Sequence, residues 1–330
     1  MVQFSIIVPV YNRPDEVDEL LDSLTRQTVK QFEVIIVEDG STVTCEEVVR
    51  KYESYLDVHY YIKPNSGPGQ TRNYAAERSN GRYLLILDSD VIVPNIYLEA
   101  IIAELEREDV DAFGGPDRAH HSFTDIQKAI NYAMTSFFTT GGIRGGKVKM
   151  DKFYPRSFNM GVRREVYQAM GGFSKMRFGE DIDFSIRIFD AGYRCRLFPD
   201  AWVWHKRRTD LKKFFKQVHN SGIARINLYK KYPKSLKLVH LLPAAFTVGA
   251  VLLVLGAPIV VYGPFLLLLY ALMVMVDSSI QNKSLKIGLL SIVASFVQLV
   301  GYGLGFLRAW WQRCVMGKDE FEAFRNNFYK

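Results

Sequence analysis

Short apolar runs alternate with amphipathic stretches along the first quarter of the chain. Gln3 to Val10, Phe32 to Val37, Val58 to Ile62 and Tyr83 to Leu87 read as strands. Pro14 to Gln27 reads as a helix with Leu20, Leu21 and Leu24 turned inward. Thr44 and Glu47 have capping-box spacing for a second helix. A third helix runs through Arg72 and Ala76, after the loop Asn65-Ser66-Gly67-Pro68-Gly69. Strands alternating with helices predict a mostly parallel sheet covered on both faces.

The middle of the chain is less regular. Thr139 to Met150 carries four glycines and reads as a loop, and Ser157 to Val162 as a strand. Asp181 to Ala191 reads as a helix ended by Gly192, and Cys195 to His205 as one or two short strands. The pattern then changes. Leu238 to Val276 is 39 residues without Asp, Glu, Lys or Arg, and Ile287 to Leu307 is another 21. A membrane-spanning helix needs ~20 apolar residues. The first run therefore predicts two spans broken at Gly256-Ala257-Pro258, and the second predicts one. Gly301, Gly303 and Gly305 weaken that third helix. If it spans, a tail with Arg308, Arg313, Lys318, Arg325 and Lys330 ends outside, against the positive-inside rule; a re-entrant or interfacial segment would resolve the conflict, but the length of the run favours a span.

Charge sharpens this division. Lys206 to Lys237 holds a net of +10 against a chain total of +7, so the remainder sums to −3. A basic run can mark nucleic acid, but this one directly precedes a membrane segment, so anionic lipid headgroups are the expected partner and nucleic acid is not. Leu211, Phe214, Phe215 and Val218 follow helical spacing and predict an amphipathic interfacial helix. The expected domains are residues 1–208 catalytic, 209–237 basic and interfacial, and 238–330 in the membrane. No secretory signal is visible, which predicts a cytoplasmic catalytic domain on a multi-pass protein of the cell membrane. Cys45, Cys195 and Cys314 have no metal-ligand spacing.

The candidate chemistry lies at the strand ends. Asp88-Ser89-Asp90 follows the apolar run Tyr83 to Leu87, so two carboxylates arrive where open α/β sheets bind ligands. Hard divalent cations take oxygen ligands and often hold substrate phosphates. Three further stations are Pro9-Val10-Tyr11-Asn12, Glu38-Asp39-Gly40-Ser41 and Gly179-Glu180-Asp181.

In this order, the four stations resemble the family 2 glycosyltransferases, which have the GT-A fold, over about residues 3 to 210. The resemblance implies an α/β nucleotide-sugar-binding domain followed by transmembrane helices. Pro9, Tyr11, Asp39 and Arg72 then look like the nucleobase pocket of a nucleotide-diphosphate sugar donor. Asp88 and Ser89 would lie by the ribose, and Asp90 would ligate Mg²⁺ or Mn²⁺, with His205 as a further metal-side candidate. Arg208 completes a His-x-x-Arg spacing. Asp181 resembles the catalytic base, Glu180 its acceptor-orienting neighbour, and Asn159 the acceptor-side wall. Asp183 is a weaker candidate base. Glu38 departs from the more usual Asp, which leaves a ribose contact there in doubt. The Gln-x-x-Arg-Trp motif of processive members is not matched at Gln217, against a cellulose- or chitin-type polymerase.

The expected activity is inverting transfer of a sugar to a membrane-associated acceptor, a polyprenyl-linked glycan or polyprenyl phosphate, in cell-surface polysaccharide synthesis. A polyprenyl-phosphate monosaccharide synthase is the alternative, and a non-catalytic scaffold keeping the fold is the alternative of another class. A nucleotidyltransferase fits less well, because Tyr11-Asn12-Arg13-Pro14 stands where its phosphate loop would be.

Overall fold

A computed structural model describes residues 3–120, 122–141, 153–256 and 262–321. Most of the expected loop before Met150, Ala257 and Pro258 of the expected break, and the tail with Arg325 and Lys330 lie outside the described residues. In chain order the elements are β1 (Phe4–Val10), α1 (Pro14–Thr25), β2 (Phe32–Asp39), α2 (Glu46–Arg50), β3 (Asp57–Lys63), α3 (Pro68–Ala76), β4 (Tyr83–Leu87), β5 (Val91–Ile92) and α4 (Tyr97–Arg107). There follow β6 (Ala112–Gly114), β7 (Asp117–Arg118), α5 (Asp125–Thr135), α6 (Phe137–Thr140), β8 (Asn159–Arg163), α7 (Arg164–Ala169), α8 (Glu180–Asp190), β9 (Cys195–Leu197) and β10 (Val203–His205). The chain continues through α9 (Leu211–Lys231), α10 (Leu242–Leu255), α11 (Gly263–Asn282) and α12 (Leu285–Trp310).

Two compact units divide the described chain. Met1–Arg118 joins Met150–His205, and Ala119–Lys149 joins Lys206–Phe321. α5 and α6, expected in the catalytic domain, thus fall with the later helices.

The first unit is built on a seven-stranded sheet of order β3-β2-β1-β4-β8-β6-β9. β1, β2, β3 and β4 pair in parallel, whereas β8 runs antiparallel to both β4 and β6. β1, β2 and β4 are buried along almost their whole length because helices cover both faces. Alternate residues go to opposite sides. Ile6, Val8, Val34, Ile36 and Leu85 pack with Val17, Leu20, Leu21 and Leu24 of α1 and Leu98 and Ile101 of α4. Ile7, Ile35, Val37, Leu84 and Ile86 pack with Ala75 of α3, Tyr167 of α7 and Phe184 and Ile188 of α8. This is a GT-A-like α/β architecture with a mostly parallel central sheet. A second, three-stranded sheet, β5-β10-β7, carries the chain from the end of β4 to His205.

Local chemistry sets the helix starts. Pro14 opens α1, where its missing N–H costs nothing, and Asp15 and Glu16 face the positive end of the dipole. The capping box expected at Thr44 does not form. α2 begins at Glu46, and the Cys45 N–H donates to Glu38 Oε1 at 2.7 Å. A capping box forms instead at Thr124 and Gln127, ahead of α5.

Among the described residues, the elements of the second unit are all helices. α11 and α12 are long and apolar enough to cross a membrane by length and composition, and α10 is shorter. Phe214 and Val218 of α9 are buried in a cluster with Ile130 and Ala133 of α5 and Ile287 and Ala294 of α12. Two residues of the stripe expected to lie in lipid, Phe214 and Val218, are therefore turned onto protein, while Phe215 stays exposed. Gly301, Gly303 and Gly305 do not interrupt α12, which runs unbroken to Trp310. They sit where neighbours touch its backbone: a Cβ at Gly301 would stand 2.6 Å from Val218 Cγ2, and one at Gly303 2.6 Å from the Pro243 carbonyl.

Candidate active site

The stations read from the sequence stand at the carboxyl ends of β1, β2 and β4 and at the start of α8, all within the sheet unit. Parallel strands end on one edge, and this is the edge where such sheets take ligands. Pro9 lies beyond Ile7, where the β1–β4 ladder ends. Tyr11 follows β1 and is half-buried.

Asp39, at the end of β2, is 2% exposed and already well bonded. Its Oδ1 accepts from Lys63 Nζ at 2.6 Å and from the Ser66 N–H at 2.8 Å, and its Oδ2 accepts from the Gly67 N–H at 2.9 Å. The carboxylate thus shapes the Asn65–Gly67 loop ahead of α3. Glu38 faces the interior. Cys45 N–H and Ser41 Oγ both donate to it, and it is fully buried. The ribose contact left in doubt at Glu38 is therefore not made available, because alternation along β2 turns Glu38 away from Asp39.

At the end of β4 the charges form a continuous belt. Arg13 Nη1 donates to Asp90 Oδ2 at 2.9 Å, and His205 Nε2 lies 3.2 Å from Asp90 Oδ1. Arg72, buried in α3, bridges two stations, donating from Nη2 to Asp88 Oδ1 at 2.8 Å and from Nη1 to Glu180 Oε1 at 3.0 Å. Next to Glu180, Asp181 accepts from Arg156 Nε at 2.6 Å and from the Ile182 N–H at 2.8 Å. Gly179 sets the direction of this turn: its φ of 84° is a left-handed conformation that a side chain would resist. Ser89 is buried between the two aspartates. Arg72 is thus found between carboxylates rather than open as a pocket wall.

Asp88, Asp90 and His205 each offer a ligand atom, and those atoms lie within 4.8 Å of one another. The two carboxylates suit Mg²⁺ or Mn²⁺, and the imidazole adds a nitrogen donor. Phe158 stacks on the His205 ring at 4.9 Å, and His205 Nδ1 is buried with no hydrogen-bond partner among the described residues. The residues present fit a divalent ion.

The adjacent carboxylates at the start of α8 titrate apart. Burial pushes Glu180 up to about 7, helped by the Asp181 charge and opposed by Arg72. Burial acts on Asp181 as well, but the Arg156 guanidinium outweighs it and holds that carboxyl below its ordinary range.

Two candidates are interior. Asn159 is 1% exposed; Tyr97 Oη donates to its Oδ1 at 2.7 Å, and its Nδ2 donates to the Ala201 carbonyl at 2.8 Å. It supports the wall from behind rather than forming its surface. Asp183 is fully buried and accepts from Ser174 Oγ at 2.8 Å and Arg187 Nε at 3.1 Å. Arg208 falls in the helical unit.

Sequence reasoning missed Arg13, Lys63 and Arg156 as partners. Arg13 was within reach, because it follows the Tyr11-Asn12 station directly. Lys63 and Arg156 carry no motif of their own, and only the fold brings them to Asp39 and Asp181.

The chain matches Glycosyl transferase family 2 over residues 5–171, and it belongs to that family. An uncharacterised glycosyltransferase of Rickettsia bellii is 38% identical over 86 residues, which are 26% of this chain and 12% of that relative. This chain therefore spans only about an eighth of that relative's length. Glycosyltransferase AglE of Haloferax volcanii is 26% identical over 250 residues, 74% of this chain and 80% of AglE. Among solved structures, a mannosyltransferase of Pyrobaculum calidifontis, in complex with GDP-Man and Mn²⁺, shares the fold with a TM-score of 0.63 at 19% identity, covering 89% of this chain and 86% of its own.

Proposed function

We propose that this chain moves a sugar from a nucleoside diphosphate sugar to a hydroxyl of a membrane-associated glycan acceptor carried on a polyprenyl lipid, inverting the anomeric centre. The observation that carries the reading is the charged belt, in which Arg72 ties Asp88, of the Asp88–Asp90–His205 cluster, to Glu180, the neighbour of Asp181. Family relatives include enzymes named for glycan synthesis, such as a chondroitin synthase and a poly(ribitol-phosphate) N-acetylglucosaminyltransferase.

In this reading the donor's nucleoside lies over Pro9, Tyr11 and the Asp39 loop. Asp88, Asp90 and His205 hold Mg²⁺ or Mn²⁺, which when bound supplies Lewis-acid stabilisation of the leaving diphosphate. Asp181 takes the proton from the acceptor hydroxyl as its oxygen forms a bond to the anomeric carbon and the carbon–oxygen bond to the diphosphate breaks. Pairing with Arg156 keeps Asp181 ionised at neutral pH, the state a proton acceptor needs. Glu180, higher in pKa, orients the acceptor. The basic and apolar helices attach the enzyme to the cell membrane, with the sheet unit in the cytoplasm.

The test is a screen of labelled nucleotide sugars against the protein in membranes, with Mg²⁺ or Mn²⁺, followed by organic extraction. One donor should label a lipid-linked product, and no turnover with any donor would contradict the reading. Better use of bare polyprenyl phosphate than of lipid-linked sugar would assign a monosaccharide synthase instead.

A further inference from the structure

The helical unit has two unlike faces. On one side, α10 and α11 present bare apolar side chains: Leu252 is 64% exposed, Leu255 74% and Ile280 71%. Only 17% of the apolar window of α11 is buried, against 50% for α12. α12 differs because α9 lies along it. Val218 meets Gly301, a Cβ at Gly222 would collide with the Tyr302 carbonyl, and one at Gly305 with the His219 carbonyl. Further along, Arg313 Nη1 donates to Asn227 Oδ1 at 2.5 Å. Positions advance together on both helices, so α9 runs parallel to α12 over most of its own 21 residues.

The outer side of α9 is polar. Lys212, Lys213 and Lys216 are exposed. With Val218 level with Gly301, these lysines stand level with the middle of α12. A crossing α12 would carry α9 into the hydrocarbon with it and leave three ammonium groups near mid-depth, where charge is costly. At its first turn α12 is fixed by Lys286, whose Nζ is 2.8 Å from Asp125 Oδ2, and near its end Arg308 is exposed. A helix covered along one flank by the polar α9, with Leu289, Val293 and Leu304 of its own exposed, is built for a boundary.

We infer that α12 does not cross the membrane. It lies along the lipid–water boundary of one leaflet, with α9 as its aqueous cover, while the α10–α11 hairpin enters the lipid and returns. α10, with 14 residues, is ~21 Å long at 1.5 Å per residue, short of the ~30 Å hydrocarbon core. The chain after α12 therefore emerges on the side from which it entered. The conflict between a spanning α12 and the basic residues that follow it disappears. The inference rests on the membrane attachment proposed above.

Attachment itself is read by sedimentation with membranes after an alkaline wash, which separates its failure from failure of the inference. The test proper uses single cysteines, Ser284→Cys before α12 and Lys318→Cys after it, with Cys45, Cys195 and Cys314 replaced by serine. A membrane-impermeant maleimide is offered to intact spheroplasts and to inside-out vesicles. Both cysteines should react in inside-out vesicles alone. Reaction of Lys318→Cys in spheroplasts, with Ser284→Cys still silent there, would overturn the inference. Because Cys45 is buried, a second measurement leaves the cysteines in place. A protease site inserted after Gly317 should be cut only in inside-out vesicles, and cutting in spheroplasts would overturn the inference equally.

Discussion

In the sheet unit, acidic side chains at strand ends are held by cations from distant segments; in the helical unit, missing side chains let backbones touch. Asp39, Asp90, Asp181 and the Asp88–Glu180 pair each engage a Lys or Arg. Gly222 and Gly305 instead bring α9 and α12 into backbone contact, and Gly301 admits the Val218 side chain. The first arrangement fixes charge at a site, with directions that individual substitutions can read. The second fixes a surface, and it responds to volume rather than to charge.

The largest effect is expected at Asp181. Asp181→Asn keeps shape and hydrogen bonding but removes basicity, so turnover should fall by ~10²–10⁴. A steady-state assay in membranes checks this, and parental turnover would dismiss Asp181 as the base. Asp90→Ala follows. It removes one carboxylate from the Asp88–Asp90–His205 cluster and should weaken metal-dependent donor binding by at least ~10–100-fold. EDTA on the parent should do the same, and binding indifferent to both would remove the metal from the account.

In the helical unit, Gly305→Ile forces a branched side chain against the His219 carbonyl. Overpacking of this kind costs ~1–3 kcal/mol or more. The thermal midpoint in detergent should drop. Equal midpoints for Gly305→Ile and parent would mean that α9 and α12 do not pack closely.

The smallest effect is a pH dependence. Glu180 is raised from 4.5 to about 7, so its contribution to stability is fully present below pH 4.5 and is lost as pH rises through about 7. Glu180→Gln lacks that loss. Its midpoint relative to the parent should therefore rise by a few degrees, ~2–4 °C per kcal/mol, between pH 5 and pH 8. A difference that stays flat across that window would mean that Glu180 is not raised.

The two units also differ in how much of them the sequence discloses. β1, β2 and β4 are buried on both faces, so their apolar runs are unbroken and the motifs at their ends stand out. β6, β7, β9 and β10 have only two or three residues each, and their pairing is set by partners far along the chain. Nothing local marks them. The same holds within the site. Asp88, Asp90, Glu180 and Asp181 are conspicuous as motifs, but Arg156 gains meaning only when folding sets it 2.6 Å from Asp181. Asn159 is a related case. The resemblance puts it on the acceptor-side wall, and only the fold shows that the Tyr97 hydroxyl and Ala201 carbonyl occupy its amide. In the helical unit, helix propensity reads the α12 glycines as weakness, because propensity is a local quantity and close packing is not. Likewise the stripe of Phe214 and Val218 announces an apolar partner, and the sequence does not say whether that partner is lipid or α12.

The central claim is that donor holding and proton removal belong to separate carboxylates of one site. Measuring donor affinity and single-turnover transfer side by side in Asp90→Ala and Asp181→Asn tests it directly. The account predicts that Asp181→Asn binds donor as the parent does but transfers ~10²–10⁴-fold more slowly, whereas Asp90→Ala binds donor at least ~10–100-fold more weakly. Loss of donor binding in Asp181→Asn, or transfer by it at the parental rate, would contradict the account.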